Sequence, residues 1–107
     1  MSTLTKPFTI FFPADYDAQS EWETPARGYL NDVIVQLENG SRYRLFFMDP
    51  IRLQQELEGE KESGRGYFAE PNLIVLPKVT TQAIQNTVQG LWQEGFFAHL
   101  KPLATGS

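Results

Sequence analysis

Phe8-Thr9-Ile10-Phe11-Phe12 is the first patterned segment of the chain, an aromatic and β-branched run held between Pro7 and Pro13. Neither proline can donate to a sheet ladder, so the run predicts a strand near a sheet edge. Residues 13–28 are the longest turn-rich segment, the pattern of a loop inside the domain and not of a linker. Alternation returns with Val33, Val35 and Leu37 set against Asp32, Ile34 and Gln36. After Asn39-Gly40 it continues with Tyr43, Leu45 and Phe47 set against Arg42, Arg44 and Phe46. Two alternating runs around Asn-Gly predict a β-hairpin.

The register follows from the side-chain types. A two-residue Asn39-Gly40 loop would put Val35 opposite Arg44 and Gln36 opposite Tyr43, mixing apolar and polar residues on both faces. A three-residue loop, Glu38-Asn39-Gly40, with Gly40 left-handed in a bulge, instead pairs Val35 with Tyr43, Val33 with Leu45 and Gln36 with Arg42. One face of the hairpin is then Val33, Val35, Leu37, Tyr43, Leu45 and Phe47, which is core. The other is Asp32, Ile34, Gln36, Arg42, Arg44 and Phe46, which is mixed.

Asp49-Pro50 predicts a helix start, because Asp caps free amides and Pro at the first position gives up no bond the helix needs. That helix runs to about Glu62 with a modest apolar side of Ile51, Leu53 and Leu57. Gly59 and the series Glu56, Glu58, Glu60 and Glu62 weaken its end, and the acidic series reads as a solvated face. Ser63-Gly64-Arg65-Gly66 releases the chain into Tyr67-Phe68 and a turn at Glu70-Pro71-Asn72. The uninterrupted apolar run Leu73-Ile74-Val75-Leu76 predicts a strand buried on both faces, hence a central one. A second helix is capped by Thr80 or Thr81, and its Ile84, Val88, Leu91 and Trp92 fall at i, i+4, i+7 and i+8. Gly95 ends it in a left-handed conformation with Phe96 folding back, and residues 97–103 form a capping tail. The order is β-β-β-α-β-α: an α+β fold, a largely antiparallel four-stranded sheet with two helices packed on one face.

The whole chain of 107 residues is read as a single domain, long enough to bury a core without disulfide or metal staples. It has no cysteine, which excludes a disulfide framework and thiolate chemistry. Hydrophobic residues are 41% and the net charge is −4, so the chain is not disordered. The acidic excess is even, with 7 acids and 5 bases in residues 1–55 and 6 acids and 4 bases in residues 56–107. No apolar run approaches a membrane span and residues 1–6 lack a signal-peptide pattern, so a soluble cytoplasmic protein is expected.

Candidate chemistry is sparse. His99 is the single histidine, and Ser20, Ser41 and Ser63 lack a nucleophile elbow, so no catalytic residue is assigned. Asp15, Asp17, Glu21 and Glu23 lack the glycine and the terminal Glu of a calcium loop, and no metal or cofactor is expected. Gly64-Arg65-Gly66 precedes a strand, whereas phosphate loops open a helix. A pI near 4.9 fits nucleic acid poorly.

The mixed hairpin face carries the most information. Ile34, Arg42, Arg44 and Phe46 combine arginine, aromatic and aliphatic side chains, the composition of interface hot spots. Asp15, Tyr16, Asp17, Glu21, Trp22 and Glu23 form an acidic aromatic loop expected at its rim, whose large aromatics either anchor the loop to the core or present it to a partner. The expected function is that of a non-catalytic, acidic, cytoplasmic binding protein acting through protein–protein contact or self-association as a homodimer, with no nucleic-acid or membrane partner. The alternative is a small-ligand-binding protein or enzyme with a pocket between sheet and helices, for which Tyr43, Tyr67, Trp92 and His99 are the available polar groups.

Overall fold

A computed structural model describes residues 7–103. In chain order the elements are β1 (Phe8–Phe11), α1 (Ala18–Arg27), β2 (Tyr29–Leu37), β3 (Arg42–Met48), α2 (Pro50–Glu62), β4 (Leu73–Val75) and α3 (Thr81–Gln93), followed by a short 3-10 turn (Phe96–His99). The strands form one sheet in the order β1-β2-β3-β4. β1, β2 and β3 are antiparallel neighbours, while β4 runs parallel to β3, so the α+β sheet is mixed and not largely antiparallel. A parallel pair needs a long crossover, and α2 lies within it.

The hairpin has the register the side-chain pattern predicts: Val35 faces Tyr43, Val33 faces Leu45 and Gln36 faces Arg42. Gly40 has φ +88°, and Leu37 and Ser41 close the three-residue loop through a 2.9 Å backbone bond. The alternation is broken once. Leu30 pairs with Phe47 and Val33 with Leu45, so Asn31 and Asp32 oppose the single residue Phe46. Asp32 takes up the extra residue at φ +60°. This bulge shifts the face parity by one, which sends Leu30 into the core and Tyr29 to the opposite face.

The core lies between one sheet face and α3. Val33, Val35, Leu45, Phe47, Val79, Ile84 and Val88 are fully buried, joined by Phe8, Leu30, Tyr43, Leu76 and Phe97. Each such burial contributes about 1.5–3 kcal/mol against the entropy of ordering the chain. Thr80 caps α3 by accepting from the Ala83 amide at 3.0 Å. Gly95 is left-handed at φ +76°, and Phe97, one residue beyond Phe96, is the aromatic that turns into the core against Tyr43, with ring centroids 5.2 Å apart.

Three expectations are corrected. Residues 13–28 are not a loop: they hold α1, capped by the Asp17 carboxylate accepting from Ser20 N–H at 2.9 Å, so helices number three. Pro25 has no N–H for the Glu21 carbonyl, but it sits in the last turn, where one missing bond is tolerated, and the buried Thr24 holds the helix down. The two foreseen helices do not share one face. α3 covers the core face, whereas α2, capped by Asp49 at 2.7 Å as its sequence predicts, contributes no buried residue. Lastly, the run 73–76 is not a central strand: β4 is an edge strand of three residues with Val75 exposed, and Leu76 turns into the core after the strand ends. Four apolar residues in a row report burial on average, and here the burial is divided between strand and connection.

Candidate interaction face

Opposite α3 lies a second sheet face, built by the residues that alternate with the core. Its rows follow from the register: Thr9, Gln36 and Arg42; then Phe11, Ile34 and Arg44; then Phe46 beside Leu73 of β4; then Tyr29, Met48 and Val75. Ile34, Arg42, Arg44 and Phe46 therefore do come together on one face. Arg42 and Arg44 are exposed, Ile34 and Phe46 half-buried, and Phe11 is 44% exposed.

The charges on this face are loosely held. Arg44 Nε lies 3.5 Å from Asp32 Oδ1 with both side chains largely exposed, a pair worth about 0–1 kcal/mol in water. The Arg42 guanidinium sits over the Phe11 ring at 5.8 Å. At the far end, Tyr29 packs edge-on to Phe46 with centroids 6.5 Å apart. Arg52, held by Glu56 at 2.8 Å, lies over the Tyr29 ring at 4.7 Å, and Arg27 approaches the same ring at 5.7 Å. The outer edge of β3 beyond β4 is closed. The Asn72 side-chain amide donates to the Arg44 carbonyl at 2.8 Å, and Leu103 N–H donates to the Arg42 carbonyl at 2.7 Å. Between these walls runs an open groove of about 580 Å³ lined by Tyr29, Asp32, Arg44, Phe46, Arg52, Phe68 and Asn72 among others.

The acidic aromatic segment is distributed over α1 and its start. Tyr16 is an anchor: its ring stacks on Phe12 at 4.9 Å, and its hydroxyl bonds the Thr81 hydroxyl of α3 at 2.7 Å. Asp17 is a helix cap, and the Ser20 backbone N–H that it accepts holds its carboxyl below the ordinary aspartate value. Asp15 offers its carbonyl to the Ser20 hydroxyl at 3.1 Å, Glu23 accepts from Gln19 at 3.1 Å, and Glu21 stands in the first turn. Trp22 is 83% exposed and, with Glu23, Pro25, Arg27 and Lys78, lines a separate shallow depression. Tyr16 thus anchors the segment, while Trp22 is exposed.

Phe11, Tyr29, Arg52, Phe68 and Asn72 also belong to the face and its groove and escaped the sequence reading. Phe11 was reachable once β1 is paired with β2. Tyr29 depends on the bulge, and Arg52, Phe68 and Asn72 depend on the crossover. Of the polar groups considered for a pocket under the helices, Tyr43 is buried against Phe97, Tyr67 is 59% exposed beneath Arg65, and Trp92 lies at the Phe8 ring. No helix among the described residues is long and apolar enough to cross a membrane. No family model matches the chain, and neither a curated protein nor a solved structure was found to resemble it.

Proposed function

We propose that this chain is a non-catalytic binding protein of the cytoplasm that acts through its second sheet face, by contact with another protein or with itself. The observation that carries the reading is the uncovered state of that face: α3 packs on one side of the sheet, while Phe11, Ile34, Arg42, Arg44 and Phe46 on the other remain exposed or half-buried. An aromatic, aliphatic and arginine patch of this kind matches the composition of interface centres, where desolvating a few anchors supplies most of the binding energy. Tyr16 is a structural anchor in this reading, and the exposed α1 residues Glu21, Trp22 and Glu23 are a secondary contact.

The test is a photo-crosslinking amino acid placed at Phe46 in the native cell. A discrete adduct, lost when Arg44→Glu is added to a chain that still folds, is the expected result. Absence of any adduct, or an adduct indifferent to Arg44→Glu, would remove the contact reading. The groove beside Tyr29 and Arg52 favours a second reading, a small-ligand protein. Native mass spectrometry of protein purified from its own cells separates the two: a bound small molecule without an adduct at position 46 favours the groove.

A further inference from the structure

We infer that the occupant of the second sheet face is a second copy of this chain, joined by a two-fold contact in which α2 of each copy lies against the Arg42–Arg44 strip of the other. This rests on the contact reading above and names its partner.

The first observation is that α2 is only lightly held within its own chain. It spans Pro50–Glu62 without a buried residue, and a helix of this length is marginal in water unless packing supports it. Arg52, Leu53, Glu56 and Glu60 form its half-buried inner stripe. Ile51, Gln55, Glu58 and Glu62, at i, i+4, i+7 and i+11, form an outer one, with Ile51 72% exposed. An aliphatic residue followed by two carboxylates is thereby presented outward.

The second observation is charge complementarity. α2 carries Glu56, Glu58, Glu60 and Glu62 against Arg52 and Lys61, whereas the sheet face carries Arg42 and Arg44 against Asp32. Among the described residues Arg42 pairs with no carboxylate, and Arg44 holds Asp32 only at 3.5 Å. The outer stripe of α2 supplies what the strip lacks: carboxylates for the two guanidiniums and Ile51 for the apolar side chains of Phe11, Ile34 and Phe46. Its own copy cannot supply them, because α2 turns its inner stripe, through Arg52 and Glu56, toward the Tyr29 end of the groove.

The third observation is continuity. Strip and helix are joined directly, β3 running through Asp49 into α2, so one copy holds both halves of the contact. An isologous pair uses both halves twice and closes, leaving neither an acidic helix nor a basic strip exposed. A foreign acidic partner would satisfy the strip and leave α2 as it stands.

The test is sedimentation equilibrium of the full chain, from low micromolar to millimolar concentration at low salt. Four samples are compared: wild type, Arg42→Glu/Arg44→Glu, Glu58→Lys/Glu62→Lys, and an equimolar mixture of the two variants. The wild type is expected to dimerise, with the dimer weakening as salt rises. Each variant alone sets like charges together in both halves and is expected to dissociate at least about tenfold more readily. In the mixture every helix–strip contact is again of opposite charge, so a heterodimer is expected to return. That return is a result no folding defect produces; circular dichroism checks each variant, and the neutral pair Arg42→Gln/Arg44→Gln and Glu58→Gln/Glu62→Gln replaces any that unfolds, each then expected to weaken the dimer. A monomeric wild type, a dimer unmoved by either variant, or a mixture without heterodimer would overturn the proposal. Photo-crosslinking at position 46 keeps the two readings apart. A foreign adduct with a monomeric wild type overturns the second copy alone, whereas a monomer with no adduct overturns both.

Discussion

Gly28 shows how one residue couples two helices. It ends α1 in the left-handed region at φ +80°, donating to Thr24 at 2.9 Å, and its carbonyl accepts the Asp49 amide at 2.8 Å. A Cβ built at Gly28 would lie 2.9 Å from both Asp49 carboxylate oxygens and 3.0 Å from Arg52 Cβ, whereas one at Gly40 would meet open space. Gly40→Ala therefore bears only the left-handed penalty of about 1–2 kcal/mol. Gly28→Ala adds a collision with the cap of α2, and urea denaturation is expected to show it costing at least about 1 kcal/mol more. Asp49→Ala alone is expected to cost about 1 kcal/mol through the lost cap. In that background the Gly28→Ala penalty should shrink, and strictly additive losses would contradict the close approach. The caps at Asp49 and Thr80 and the left-handed Gly40 and Gly95 were legible in the sequence because their causes lie within four residues. Asp17 as a cap was not, since the turn-forming residues of 13–28 read as a loop. The close packing of Gly28 against Asp49 spans the whole hairpin and has no local signal.

At the scale of elements, α3 and α2 are alike in length and opposite in what holds them. α3 buries Ile84 and Val88 completely, so Ile84→Ala is expected to destabilise the protein by about 2–5 kcal/mol. Leu57 of α2 is 38% exposed, and Leu57→Ala is expected to stay within about 0.5 kcal/mol in dilute monomer. Thermal or urea denaturation of the two variants side by side checks the contrast; equal losses would mean that α2 packs as α3 does. The strength of the periodic pattern anticipated this difference, for α3 repeats cleanly while α2 carries four glutamates and Gly59. Strand neighbours were less legible. The helix between β3 and β4 was itself the signal of a parallel crossover, but the apolar run 73–76 suggested a central position that the strand does not take. Nothing in residues 29–32 announces the bulge, because its cause is cross-strand: Leu30 gains burial only if the parity shifts.

Over the whole molecule, cohesion is concentrated on one side of the sheet. Most of the fully buried residues lie in the hairpin, in α3 and at Val79 just before it, whereas α2 buries none and carries four glutamates. Hydrogen exchange at high dilution is accordingly expected to show β2 and β3 amides opening only with the molecule, and α2 amides opening locally at several kcal/mol less. Protection in α2 that rises with protein concentration would accompany the two-fold contact, and uniform protection in dilute monomer would contradict this layering. The sequence by itself determined the hairpin, its three-residue loop, its two faces, the start of α3 and the inward position of Ile84 and Val88, though not the exposure of Trp92 at the end of the same stripe. Each of these follows from side-chain period or from bonds between near neighbours. It also determined that Ile34, Arg42, Arg44 and Phe46 share a face, since strand parity in the register of the three-residue loop requires it. Only the tertiary structure decided that Phe11 and Tyr29 join them, that β4 lies parallel at the edge, that Tyr16 is tied to α3 while Trp22 stands free, and that α2 leaves the face open. Those outcomes depend on which distant segments compete for the same apolar surface, and that competition is settled by packing in three dimensions rather than by any pattern along the chain.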